Sequence, residues 1–181
     1  MSFLDLVNQR YSARDYKEAP VPKDILNRCL EAVRLAPSAC NSQPWKFIVI
    51  DEPGLKHELA KAAFEGLPDF NHFAFKAPVL VLIVSERQKA VAKLAGVIKK
   101  KNFSLMDIGI AAEHFCLQAA EEGLGTCMLG WFNERRVKKR LAIPKGKRIE
   151  LMISVGFSAD EKIPPKNRKS IDEISACNKY S

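Results

Sequence analysis

The stretch Ala36-Pro37-Ser38-Ala39-Cys40-Asn41-Ser42-Gln43-Pro44-Trp45 separates a helical pattern from a strand-like run, and the reading of the whole chain turns on it. Pro37 and Pro44 bracket the stretch and restrict the residues before them to extended geometry. Ser38, Asn41, Ser42 and Gln43 supply hydroxyls and amides to an irregular backbone. So many directional hydrogen-bonding groups beside a tryptophan read as a ligand-binding turn. The plainer reading is a helix C-terminus and a polar turn, with Trp45 as the first core residue of the next strand.

A second cluster lies upstream, at Arg10-Tyr11-Ser12-Ala13-Arg14. In an extended chain residues two apart share a face, so Arg10, Ser12 and Arg14 can converge on one ligand. Guanidinium forks match phosphate oxygens bidentately, and a dianionic phosphate needs about two positive partners once water is removed. Taken alone, the cluster reads as a solvated basic loop at the end of a short helix.

Together, Arg-x-Ser-x-Arg and the later Ala-Pro-Ser-x-x-Asn-x-Gln-Pro-Trp resemble the FMN-dependent nitroreductase family. The likeness continues through the late helix Asp107 to Gly123, the turn Leu129-Gly130 and the tail Pro165-Lys166-Asn167-Arg168, and so covers nearly the whole chain. The ten-residue turn is its specific part. The resemblance implies an α+β fold, with a mixed, mostly antiparallel sheet flanked by helices. It also implies a homodimer whose C-terminal tail embraces the partner, with FMN in a cleft between subunits. By motif, Arg10 and Arg14 bind the phosphate or ribityl chain, Ser12 donates a hydrogen bond, and Tyr11 contributes backbone more than ring. Pro37, Ser38, Ala39 and Asn41 of the partner line the cofactor, with Gln43 orienting their turn. Lys166 and Arg168 complete the phosphate clamp. Leu129-Gly130 matches the turn whose amide faces flavin N5. The family often has an acid where Leu129 stands, so only a backbone role carries over there. Asn71 is a candidate for a ring oxygen.

The implied activity is ping-pong hydride transfer from NADH or NADPH through the flavin to nitroaromatics, quinones or similar acceptors. On the same fold, reductive dehalogenation or flavin binding with little turnover are alternatives. The flavin performs the bond chemistry while protein supplies orientation and electrostatics, so no side-chain acid or base is assigned.

Composition frames these readings. A chain of 181 residues, 47% hydrophobic and 28% charged, reads as one globular domain over residues 1–181; a chain of this length buries about 70% of its unfolded surface. The start lacks a basic n-region, and the longest apolar run, Pro78 to Val84, is far shorter than the roughly 20 residues a membrane helix needs. A cytoplasmic location is expected. The five cysteines form no Cys-x-x-Cys pair and read as free thiols, with Cys40 a small buried filler or a neighbour of the cofactor. The net charge of +8 raises nucleic acid as a partner of a different class. However, the basic residues of Arg135 to Arg140 surround Val137 and Leu141 without interleaved aromatics, the pattern of a short helix with a solvated basic face. Small-molecule partners and a second copy of the chain are expected instead, and no metal site.

Working outward from the turn, Ile25, Cys29 and Val33 with Leu26 and Leu30 predict a helix from Lys23 to Leu35. Trp45 to Ile50 predicts a strand stopped by Asp51-Glu52-Pro53-Gly54. Pro78 to Ser85 predicts a strand buried on both faces. Ser2 caps a first helix with Leu4 and Val7 inward, and Leu55 to Phe64 is helical. Gly66 to Phe75, with Phe70, Phe73 and Phe75, is a candidate cover over a site. Gln88 to Lys101 is amphipathic through Val91, Leu94, Ala95 and Ile98. Ser104 to Glu122 is the longest helix, ended by Gly123 and Gly125. Strands at Thr126 to Leu129 and Ile149 to Gly156 follow, with Asn133 capping the basic helix between them. Periodicity leaves the strand order open.

Overall fold

The structure is a computed structural model that describes residues 1–66 and 68–180, the side chains of residues 69, 70, 93, 95 and 97 excepted. Helix α1 (Phe3–Gln9) and helix α2 (Lys23–Arg34) precede strand β1 (Trp45–Ile50), and helix α3 (Pro53–Phe64) leads to strand β2 (Val79–Ser85). Helices α4 (Ala90–Lys99) and α5 (Phe103–Glu121) come next, then strand β3 (Gly125–Leu129), helix α6 (Glu134–Arg140), strand β4 (Ile149–Gly156) and the short helix α7 (Ile171–Ile174).

The strands form an antiparallel sheet in the order β1-β2-β4-β3. Burial on both faces, expected from the apolar run of β2, is observed because β2 lies inside the sheet with helices on either side. Its alternate residues divide between two cores. Val79, Val81 and Ile83 join Leu26, Cys29, Val33, Ile108, Ala111 and Phe115 of α2 and α5. Leu80, Leu82 and Val84 join Leu59, Ala63 and Phe64 of α3 and Val137 of α6. The fold is therefore α+β, three layers deep. A parallel bridge from Ser12 to Thr126 adds the arginine segment to the β3 edge and makes the pairing mixed.

Local chemistry explains the helix ends. Ser2 forms a capping box with Asp5, and Asn102 and Asn133 accept from the third residue of α5 and α6. Gly123, at φ 77, follows α5 in the left-handed conformation that glycine adopts without strain. The small side chains Ala111, Ala112, Ala119 and Ala120 bring α5 close to its neighbours.

Three expectations are corrected. Leu4 points outward at 70% exposure, because α1 lies along α5 and turns Leu6, Val7 and Gln9 toward it. The apolar stripe of α4 also faces outward: Val91, Leu94 and Ile98 are 68%, 62% and 68% exposed, while Ala92 packs inward. Cys40 is exposed rather than a buried filler, since its turn sits on the outside of α5. The side chains of Ala95 and Phe70, named above, lie outside the described residues. The segment Asp69–Phe75, expected to be irregular, is a 3₁₀ helix.

Candidate functional site

The arginine segment is fixed by backbone pairing along β3. Ala13 donates its N–H to the Thr126 carbonyl at 3.0 Å, and Ala13 is fully buried. Gly125 permits this approach, because a Cβ on it would stand 2.6 Å from Ala13 Cβ. Extended geometry then turns Ser12 and Arg14 outward on either side of Ala13. Tyr11 takes more than a backbone role. Its hydroxyl donates to Ser158 Oγ at 2.6 Å and Asp160 Oδ2 at 3.0 Å, tying the segment to the chain beyond β4.

Positive charge collects around Arg10. Its Nε lies 3.3 Å from Glu113 Oε1 on α5, but the alignment misses a hydrogen bond, and this buried nitrogen makes none among the described residues. Lys166 reaches back from the tail and donates from Nζ to the Val7 carbonyl at 2.9 Å and to the Arg10 carbonyl. Desolvation, then the charges of Arg10 and Arg168, hold the Lys166 ammonium below the usual lysine range. Crowding of like charges that depresses an ammonium favours a bound anion, which relieves it. Arg168 is exposed and donates to its neighbour's carbonyl at 2.7 Å. Arg10, Lys166 and Arg168, predicted as a clamp, are thus brought together from opposite ends of the chain.

From this cluster a wall of residues runs along β3. The Arg14 guanidinium lies over the Phe73 ring at 6.0 Å, and Asn71 of the same 3₁₀ helix donates to the Trp131 carbonyl at 3.0 Å. Trp131 follows Gly130, which is exposed and has open space where a side chain would stand. Leu129 is buried, leaving only its backbone to a ligand. Thr126 and Gly130 are four residues apart, about 13 Å in a strand. One wall thus carries cations at one end and an open glycine at the other. Phe75 turns away from it toward Phe64 and His57, serving the core.

The turn at Pro37 to Gln43 is built as its composition suggested but stands elsewhere. Ser38 Oγ accepts from the Gln43 N–H at 2.9 Å, and Gln43 Nε2 donates to Asn41 Oδ1 at 2.7 Å, so Gln43 orients the turn. Ala39 N–H donates to Asp107 Oδ1 at 3.0 Å. Pro37, Asn41 and Gln43 are exposed. The turn feeds β1, the sheet edge opposite β3, so three strand spacings, about 14 Å, separate the two edges. Within one chain the two motifs do not meet.

Sequence reasoning passed over Glu113 and Asp107. The signal for Asp107 was present: it interrupts the four-residue apolar series Phe103, Ala111, Phe115, Ala119 on α5. The basic face of α6 is exposed as expected, at Arg135, Arg136, Lys139 and Arg140, and acids meet part of it. Arg140 pairs with Glu58, Arg136 lies 3.7 Å from Glu65, and Lys138 lies 3.2 Å from Glu134. Among the described residues no His, Cys, Asp and Glu cluster could hold a metal ion, and no helix is long and apolar enough to cross a membrane.

The fold is a layered α+β one with cations gathered beside the β3 edge. Comparison with known proteins narrows the class. The family model described as the nitroreductase family matches residues 7–157, and the chain belongs to that family. Membership makes it an oxidoreductase. It is similar to an NADH dehydrogenase of Thermus thermophilus, 28% identical over 86% of each chain. It is also similar to iodotyrosine deiodinase 1 of Mus musculus, 27% identical over 95% of this chain and 68% of that one. Among solved structures it resembles an FMN-dependent nitroreductase of Clostridium difficile R20291, with a TM-score of 0.79 and 26% identity over 98% of this chain and all of that one.

Proposed function

We propose that the protein is an FMN-dependent NAD(P)H oxidoreductase, acting as a homodimer on nitroaromatic, quinone or similar acceptors. The observation that carries this reading is the convergence of Arg10, Lys166 and Arg168. Burial and this convergence hold one ammonium below its usual range, and one guanidinium nitrogen faces a carboxylate without a hydrogen bond among the described residues. A phosphate monoester, with about two negative charges and three acceptor oxygens, fits such a cluster. Arg14 and Ser12 are exposed and stand ready beside it.

In this reading Arg10, Ser12, Arg14, Lys166 and Arg168 hold the phosphate and ribityl end. The wall from Phe73 through Asn71 to Gly130 lines the ring, with the Gly130 amide as donor and Tyr11 bracing the arginine segment. Pro37, Ser38, Ala39, Asn41 and Gln43 come from a second copy, because their own chain holds them at the far edge of the sheet. The exposed Leu105, Met106 and Ile110 on α5, beside Gly109, give that copy an apolar surface to cover. When bound, the isoalloxazine supplies hydride acceptance and donation. The protein's residues bind, orient and exclude water, and donor and acceptor occupy the same open face in turn. The outward apolar stripe of α4, next to the turn, suits a flat apolar acceptor. The likeness to a protein named iodotyrosine deiodinase supports a second reading, reductive dehalogenation at the same site.

The test is to purify the native protein, identify what denaturation releases, and follow NADH and NADPH oxidation with nitroaromatic, quinone and halophenol acceptors. Released FMN and acceptor-dependent oxidation support the reading. Bound FMN without oxidation makes this a flavin carrier, and a colourless protein with salt-sensitive DNA binding contradicts the reading altogether.

A further inference from the structure

Asp107, in the second turn of α5, is only 4% exposed, and its Oδ1 accepts the Ala39 N–H at 3.0 Å. Its Oδ2 is buried without a hydrogen-bond partner among the described residues. A carboxyl group is costly to bury, and a single hydrogen bond compensates only in part. The residue is therefore poorly explained by fold stability alone.

The segment it holds is strained. Cys40, Asn41 and Gln43 have φ of 53°, 51° and 46°, a left-handed conformation that side chains other than glycine disfavour. Most ties that keep it there are internal: Asn41 N–H to the Ser38 carbonyl at 3.0 Å, Ser42 N–H to the Ala39 carbonyl at 3.1 Å, and the two bonds of Gln43. Three bonds reach outward, one of them from the Trp45 N–H of β1 to the Gln43 carbonyl at 2.8 Å. The Lys89 N–H donates to Ser42 Oγ at 3.3 Å from the approach to α4. The third is the bond to Asp107, which anchors the turn to α5.

We infer that Asp107 is a positioning residue that fixes the Ser38 to Gln43 turn in the shape that lines the cofactor. This inference rests on the FMN reading above. Strain in the turn persists only where surrounding structure enforces it, so loss of the tether lets the turn relax and withdraws its amides and hydroxyls from the ligand. Removing the carboxyl also removes the orphaned Oδ2, so the fold loses little while the site loses its shape.

The experiment compares Asp107→Ala and Asp107→Asn with wild type, using protein stripped of bound flavin and titrated with FMN. Melting temperature and amide hydrogen exchange at residues 38–43 are followed in parallel. Asp107→Ala is expected to weaken FMN binding at least about tenfold and to remove exchange protection at Ala39, with the melting temperature within about 2 °C of wild type. Asp107→Asn keeps an acceptor oxygen and is expected to restore affinity to within about threefold. Wild-type affinity in Asp107→Ala, or a loss of binding no larger than its loss of folded protein, overturns the inference alone. Wild-type protein that takes up no FMN overturns the cofactor reading and the inference with it.

Discussion

Substituting Gly125 by alanine tests whether the arginine segment must lie flat on β3. The new Cβ would stand 2.6 Å from Ala13 Cβ and 3.3 Å from Ser158 Cβ. Neither neighbour is the far end of a flexible side chain, so backbone must move by roughly 1 Å to restore van der Waals contact. Ala13 is fully buried and its N–H is bonded to Thr126, so its movement drags Ser12 and Arg14 with it. Overpacking of this kind costs about 1–3 kcal/mol, of which about 0.5–1 is returned because alanine loses less backbone entropy than glycine. The net destabilisation of about 0.5–2 kcal/mol corresponds to a fall in melting temperature of roughly 1–8 °C. The effect on FMN affinity is expected to be larger, at least about tenfold, because a 1 Å displacement breaks charge-assisted bonds at the clamp. Isothermal titration of flavin-free protein and differential scanning fluorimetry measure the two. Gly146→Ala, where a Cβ meets nothing within 4 Å, is the control and should change neither. Unchanged FMN affinity in Gly125→Ala would refute the placement of the arginine segment at the cofactor.

Arg14→Ala should weaken FMN binding about 10–100-fold by removing one charge-assisted partner, yet move the melting temperature by less than about 2 °C, since an exposed cation–π contact contributes little. Equal losses of binding and stability would make Arg14 a structural residue. Lys166 carries a depressed ammonium, so its charge disappears earlier than that of a free lysine as pH rises; FMN affinity measured from roughly pH 7 to 10 should fall toward the alkaline end. A profile that stays flat and is indifferent to Lys166→Met would exclude Lys166 from the clamp. Burial pushes the Cys29 and Cys116 thiols up to about 12 and raises Cys127, whereas Cys40 and Cys177 are exposed. A thiol reagent at about pH 8 should therefore spare Cys29, Cys116 and Cys127 in native protein until denaturation.

The reach of the sequence was set by the range of the forces involved. The strand at Pro78 to Ser85 was readable because an unbroken apolar run of strand length is buried on both faces, the helix from Ser104 because burial repeats every three or four residues, and the caps at Ser2 and Asn133 because capping is a contact three residues long. Strand order was not readable, since every apolar strand satisfies its own periodicity in any pairing. The outward turn of Val91, Leu94 and Ile98 escaped for a related reason: an apolar stripe announces that a face is covered without saying by what. At the site, the arginine pair and the polar turn were visible as local concentrations of donors. Glu113 was not, because a carboxylate on a helix is ordinarily a surface residue; Asp107 showed only as a break in the apolar series of α5, and the packing of α5 against residues 10 and 39 gives both their task. The pairing of Arg140 with Glu58 likewise joins helices far apart in the chain, and a charge run alone cannot announce it.

The central claim is that a phosphate-bearing flavin is gripped by the arginine and tail cations of one chain and the polar turn of another. Flavin content resolved by oligomeric state addresses it most directly, with protein and flavin absorbance recorded together across a size-exclusion column. The account predicts FMN at about one per chain, eluting only with the dimer. A colourless monomer that takes up no added FMN, or a monomer that holds FMN as tightly as the dimer, would contradict it.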